Sequence, residues 1–171
     1  VAMTCLTLAK RIGYQPADEA YALGLFHNCG IPLMLKRFPE YMGVLEQAYA
    51  GATDEVRVVD GENDRLNTNH AVVGYYVAKS WNLPKHLCEA IANHHNVQTV
   101  FSEDSSRNSQ LKTLLAILKM AENICACYRT LGQQDEDFEW ASIETTILEY
   151  VGFSEYDFQI LKESIRDLDI S

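Results

Sequence analysis

FHNCGIPLMLKRFP, residues 26–39, sets His27 and Asn28 at the end of an apolar helix and then stops that helix with a proline. Pro32 in a continuing helix would clash with the carbonyl of Asn28 and remove a hydrogen bond, so the helix should end between Asn28 and Gly30. Pro32 then opens a second, short helix running to about Arg37. Just upstream, Pro16, Asp18 and Glu19 suit a helix N-terminus, while Tyr21, Leu23, Leu25 and Phe26 leave the helix apolar on nearly every side. Such a helix is expected in the centre of a bundle. An earlier one, from Ala2 to Ile12, carries Leu6, Ala9 and Ile12 on one face and should end near Gly13.

Downstream the same reasoning continues. Tyr41, Val44, Leu45 and Ala48 predict a helix closed by Gly51. Residues 53–66 are less periodic, and the strand signal of Val56, Val58 and Val59 is set aside because no partner strand follows. Val72, Val73, Tyr76, Val77 and Trp81 form a helical stripe from Asn69 to Trp81; Pro84 opens a helix through Leu87, Cys88 and Ile91 to His94 and His95, and the two should form a tight hairpin. Residues 102–109, rich in Ser, Asp, Asn and Glu, read as a mobile loop. Leu111, Leu114, Leu115, Leu118, Ala121, Cys125 and Tyr128 predict one long amphipathic helix up to Gly132. Residues 137–171 read as a C-terminal helical extension: one helix over 141–150, and another capped by Ser154 and Asp157 that carries Phe158, Leu161, Ile165 and Leu168.

The expected fold is all-α, a multi-helix bundle forming a single domain over residues 1–171. With 47% apolar and 22% charged residues, this length buries a sizeable core without disulfides. Five cysteines without a framework spacing read as free thiols of a reducing, cytoplasmic compartment, and Cys125 and Cys127 on one helix would point to nearly opposite sides. A net charge of -10 with no basic run argues against nucleic acid as a partner, and no apolar run is long enough to span a membrane. The chain begins at Val1 with a helical pattern already under way, which suggests a segment of a longer polypeptide.

His27, His70, His94 and His95 sit in apolar helical surroundings, and His86 lies in the turn after Pro84. Imidazoles gathered by folding are the usual ligands of first-row divalent metals, but a lone helical histidine is more often a hydrogen-bonded core residue. Spacing leaves both readings open. His94 and His95 diverge by about 100° on a helix, so they can share an ion only if the helix ends there.

The residues EAYALGLFHNCGIPLML (19–35) and ENDRLNTNHAVVGYYVAKSWNLPKHLCEAIANHH (62–95) resemble the HDOD family, a degenerate branch of the HD metal-dependent phosphohydrolases. Glu62, His70, Val73, Gly74, Trp81, Leu83, Pro84, Ala90, Ile91, His94 and His95 fall in register with that family, and Asn67 stands at a position usually held by Gly. The resemblance implies the HD-domain type of bundle, with the N-terminal part of the domain lying upstream of Val1. It also implies His27, His70, His94 and His95 as candidate ligands of one divalent transition metal (iron, manganese or zinc), Glu122 as a weaker ligand, and Asn28 and Glu62 as supporting residues.

Three departures oppose catalysis. Asn28 replaces the doublet's aspartate, Glu122 replaces the closing aspartate, and residues 1–13 contain no histidine. The cyclic-di-GMP phosphodiesterase signature is missing as well, since residues 96–101 read NVQTVF. No catalytic residue is assigned. The expectation is a non-catalytic, bacterial-type signal-transduction or scaffold module acting through regulatory protein partners. The alternative is a mononuclear metal-dependent phosphohydrolase.

Overall fold

The computed structural model describes residues 1–53, 55–103 and 108–167, all helix and connection with no strand among them. In chain order the helices are α1 (Ala2–Ile12), α2 (Ala17–Phe26), α3 (Ile31–Arg37), α4 (Tyr41–Ala50), α5 (Val58–Leu66) and α6 (His70–Ser80). They continue as α7 (Lys85–Asn93), α8 (Val97–Ser102), α9 (Ser109–Ile124), α10 (Cys127–Thr130), α11 (Phe138–Val151) and α12 (Glu155–Asp167). The all-α bundle is as expected, and no helix among the described residues is long and apolar enough to cross a membrane.

Local chemistry sets the boundaries. α1 ends on Gly13 in the left-handed region (φ 79°), and Pro32 occupies the first turn of α3. α5 replaces the irregular stretch read over 53–66. Its first turn is tied by Asp60, whose carboxylate accepts from the Arg57 backbone N–H at 2.9 Å. Asn67 closes α5 at φ 55°, the left-handed position that Gly or Asn tolerates best. Ser154 and Asp157 cap α12 reciprocally, N–H to carboxylate at 2.9 Å and N–H to hydroxyl at 3.1 Å.

The centre of the bundle is α9, not α2. Every residue from Leu114 to Ile124 is buried, with α1, α2, α7, α8, α10, α11 and α12 packed around them. α2 buries only Ala17, Ala20, Leu23 and Gly24, and leaves Leu25 54% exposed. Its small residues explain the difference: a Cβ on Gly24 would meet the backbone of Ala2 at 2.8 Å, so α1 takes the narrow face and the large side chains turn outward.

α6 is corrected in the same way. It buries His70, Ala71, Gly74 and Ala78, while Val72, Tyr76 and Trp81 of the predicted stripe are exposed. A Cβ on Gly30 would overlap the His70 carbonyl, and one on Gly74 would stand 3.0 Å from Ile91 Cγ2. Glycine at these two positions lets the start of α3 and the body of α7 lie directly on α6.

The long helix expected up to Gly132 breaks at Ala126, which is left-handed (φ 55°), and resumes as α10. The break turns Tyr128 and Leu131 into a second, smaller core built on Met34, Tyr41, Leu45, Tyr49 and Val58, separate from the main core around α9. It also falls between Cys125 and Cys127, so the two are not on one helix; both are free thiols. α11 begins at Phe138, three residues earlier than read, where the Asp137 carboxylate accepts from Trp140 N–H at 3.0 Å. Of the expected loop 102–109, residues 104–107 lie outside the described residues, as does Leu168.

Candidate metal centre

Three helix ends deliver the four histidines. His27 follows the last turn of α2, and its Nδ1 faces the Gly24 carbonyl one turn back at 3.0 Å. His70 opens α6, where the Asn69 side chain accepts from Val72 N–H at 2.9 Å. Glu62 of α5 accepts from the backbone N–H of His70 at 3.1 Å, from Tyr41 Oη at 2.7 Å and, at Oε2, from His70 Nδ1 at 2.7 Å. The carboxylate thus caps α6 and orients the imidazole together. α7 ends at Asn93, and the turn beyond it lets both of the adjacent histidines point inward. Their rings lie 4.2 Å apart, centroid to centroid.

Each of these two rings also has its Nδ1 fixed. His94 Nδ1 faces the Ile91 carbonyl and His95 Nδ1 faces Glu139 Oε1, both at 2.7 Å. An acceptor at every Nδ1 places the proton there and leaves Nε2 with a bare lone pair. The Nε2 atoms of His70, His94 and His95 converge: His94 and His95 each stand 3.2 Å from His70. Burial first, then His95, His70 and Lys119 at His94, and Lys119 and His70 at His95, hold both pKa values well below the ordinary one, so neither supplies a proton to its neighbours. Three lone pairs aimed at one another in a buried space repel unless a cation stands among them.

Three further candidate acceptors are unsatisfied. His27 Nε2, Glu122 Oε1 and Asn28 Oδ1 are buried without a hydrogen-bond partner. His27 Nε2 and Glu122 Oε1 stand 3.3 Å apart, a contact that a second proton on the ring or a cation between them would close. All four histidines are at most 4% exposed and Glu122 is 7% exposed, so the centre is closed to solvent. A neighbouring cavity of about 190 Å³ is lined by His95 and Glu139 together with Arg57, Gln98 and Ser142, and by none of His27, His70, His94 or Glu122.

The structure therefore brings together all four predicted histidines, with Glu122 beside His27 and Glu62 behind His70, while the buried carbonyl oxygen of Asn28 is unpaired and no contact ties it to the cluster. His70, His94 and His95 form the tightest set, with ligand atoms within 4.8 Å of one another. Sequence reasoning missed three residues. Tyr41 read as an ordinary member of the α4 stripe. Glu139 lay unremarkable in the acidic run DEDFE (135–139). Lys119 was the most legible of them, a lone charge inside the apolar run LLAILKMA (114–121). The side chain is 3% exposed, and its Nζ lies 2.7 Å from Glu122 Oε2 and 3.0 Å from Glu139 Oε2. Burial raises the Glu122 carboxyl, but Lys119, helped by His27, outweighs it and holds the group well below the usual carboxylate range. Burial leads at Glu139 too, and with Glu122 nearby its pKa rises despite Lys119.

Comparison with known proteins gives concordant results. The HDOD domain model matches residues 1–97. An uncharacterized protein of Treponema pallidum (strain Nichols) is 32% identical over 93 residues, 54% of this chain but 18% of its own length. Two crystal structures are similar over nearly the whole chain. A candidate phosphohydrolase of Shewanella amazonensis SB2B is 26% identical with a TM-score of 0.61, covering 98% of this chain and 56% of that one. An HDOD domain protein of unknown function from Geobacter sulfurreducens has a TM-score of 0.63 at 20% identity over 99% of this chain and 56% of its own, a likeness of fold alone. The chain thus spans little more than half the length of these solved relatives and about a fifth of the Treponema protein.

Proposed function

The chain belongs to the HDOD domain family, and on that premise we propose that it is a non-catalytic signalling or scaffold module whose helices are fastened by one buried divalent transition metal. The observation that carries this reading is the convergence of three imidazole Nε2 atoms whose Nδ1 partners are all engaged. His70, His94 and His95 would hold the ion, with His27 and Glu122 near enough to join them. Bound there, it would neutralise the facing lone pairs and tie together the ends of α2, α6 and α7 and the last turn of α9. Imidazole donors suit iron or zinc, and the nearby Glu122 carboxylate would make manganese acceptable as well.

Closure of the site favours structure over catalysis, because catalytic metal sites keep a position open to substrate. Asn28 in place of a carboxylate points the same way. Tyr76 and Trp81, each more than half exposed, offer apolar surface suited to protein partners. The test is elemental analysis of protein purified without chelator or metal resin, paired with assays on phosphodiester and nucleotide substrates. About one equivalent of metal with no turnover is expected, and His70→Ala should lose the metal. A metal-dependent turnover abolished by His70→Ala would replace this reading with the phosphohydrolase one, which the Shewanella relative and the cavity beside His95 favour.

A further inference from the structure

We propose that Lys119 sets the charge preference of the histidine centre, so that it takes a divalent ion and disfavours a trivalent one. This rests on the metal reading above and concerns which ion that centre selects.

Three carboxylates contact the imidazoles: Glu62 at His70 (2.7 Å), Glu122 at His27 (3.3 Å) and Glu139 at His95 (2.7 Å). Lys119 Nζ bridges two of them, 2.7 Å from Glu122 and 3.0 Å from Glu139, each through the oxygen that does not face an imidazole. Three anions and one ammonium around neutral rings leave two negative charges, equal and opposite to a divalent ion. Asp137 lies farther out and touches no imidazole. It is held by Asn123 Nδ2 at 2.9 Å, and Lys162 is bonded to the same asparagine at 2.6 Å. Lys119 is 3% exposed, so water screens its field little, and each added charge on the ion meets that field almost in full.

Lys119 is a positioning and charge-setting residue, not a ligand: an ammonium has no lone pair to offer. Removing its charge without its length should make the site one charge more negative and shift its preference toward higher-valent ions.

The experiment compares manganese(II) and gallium(III), each presented from a nitrilotriacetate buffer, on the whole chain and on Lys119→Met and Lys119→Arg. The readout is the ratio of the two affinities, which a purely structural role of Lys119 would leave unmoved. The parent and Lys119→Arg should favour manganese, while in Lys119→Met the ratio moves toward gallium by about tenfold or more. An unchanged ratio in Lys119→Met, with manganese still bound by the parent, overturns the proposal and leaves the metal reading standing. A parent that retains neither ion, nor iron(II) or zinc presented from the same buffer, overturns the metal reading itself. Should Lys119→Met fail to fold, Glu139→Gln serves from the opposite side. It removes one anion, so the ratio should move further toward manganese, and an unmoved ratio there again overturns the proposal.

Discussion

Glu139, at the start of α11, holds the ring of His95, beyond the end of α7, through a 2.7 Å contact between its carboxylate and Nδ1. The family match ends at residue 97, so a residue of the C-terminal extension completes a centre whose histidines all lie within the matched region. Residues that orient a metal-bound histidine commonly alter affinity by 10–100-fold when changed. Glu139→Gln is therefore expected to weaken metal retention within that range while leaving the helical content intact. Chelator competition and far-UV circular dichroism on the same samples check this, and unchanged affinity would show that His95 needs no help from α11.

Acidification should destabilise the protein starting from near neutrality. His94 and His95 are held well below the ordinary pKa of 6.5 in the folded state, so between the folded and unfolded values the unfolded chain binds the extra protons. Their stabilising contribution is complete above 6.5 and is lost as pH falls from there toward the folded values. Glu122, depressed below 4.5, contributes above that value and loses its contribution as the pH falls further. Melting temperatures of metal-free protein should drop steadily from pH 7.5 to 5.5, and His95→Gln should flatten that slope. A flat profile in the parent would contradict the depressed values.

Gly30 and Gly43 make a matched pair. A Cβ at Gly30 would overlap the His70 carbonyl, whereas nothing lies within 4 Å of one at Gly43 in the first turn of α4. Gly30→Ala should cost about 3 kcal/mol or more and release metal, since α3 and α6 must separate. Gly43→Ala should stabilise the protein by about 0.5–1 kcal/mol through helix propensity alone. Urea unfolding of both variants tests the contrast, and equal effects would refute it.

Tyr41 is wholly buried, and its hydroxyl donates to the equally buried Glu62. Tyr41→Phe keeps the packing and leaves one carboxylate oxygen with a lost donor, at an expected cost of about 1–3 kcal/mol. Leu118→Ala, in the continuously buried part of α9, should cost about 2–5 kcal/mol without touching the centre. Metal content separates the two: it should fall with Tyr41→Phe and hold with Leu118→Ala.

How far the chain could be read without coordinates depended on whether the deciding signal was local. Pro32, Gly13 and the Ser154–Asp157 cap act within a few residues, and their helix ends lie where the sequence puts them. Which helix is central was not local. α2 is more uniformly apolar, but small side chains at Ala20 and Gly24 let α1 lie against it, and α9 takes the middle. The same effect hid the buried face of α6, where Gly74 and Ala78 pack inward and the aromatic residues face out. In the centre, the histidines were legible through family spacing. Lys119 and Glu139 were not, because their role comes from charges 20 residues apart that only the packing of α11 on α9 brings together.

The 44 residues that separate His95 from Glu139 also fix an order of assembly during synthesis. α2, α6 and α7 leave the ribosome well before α11 exists, so the nascent chain carries its imidazoles for a time with one ring unsecured. A chain released before α11 would hold every predicted histidine and still lack a finished centre.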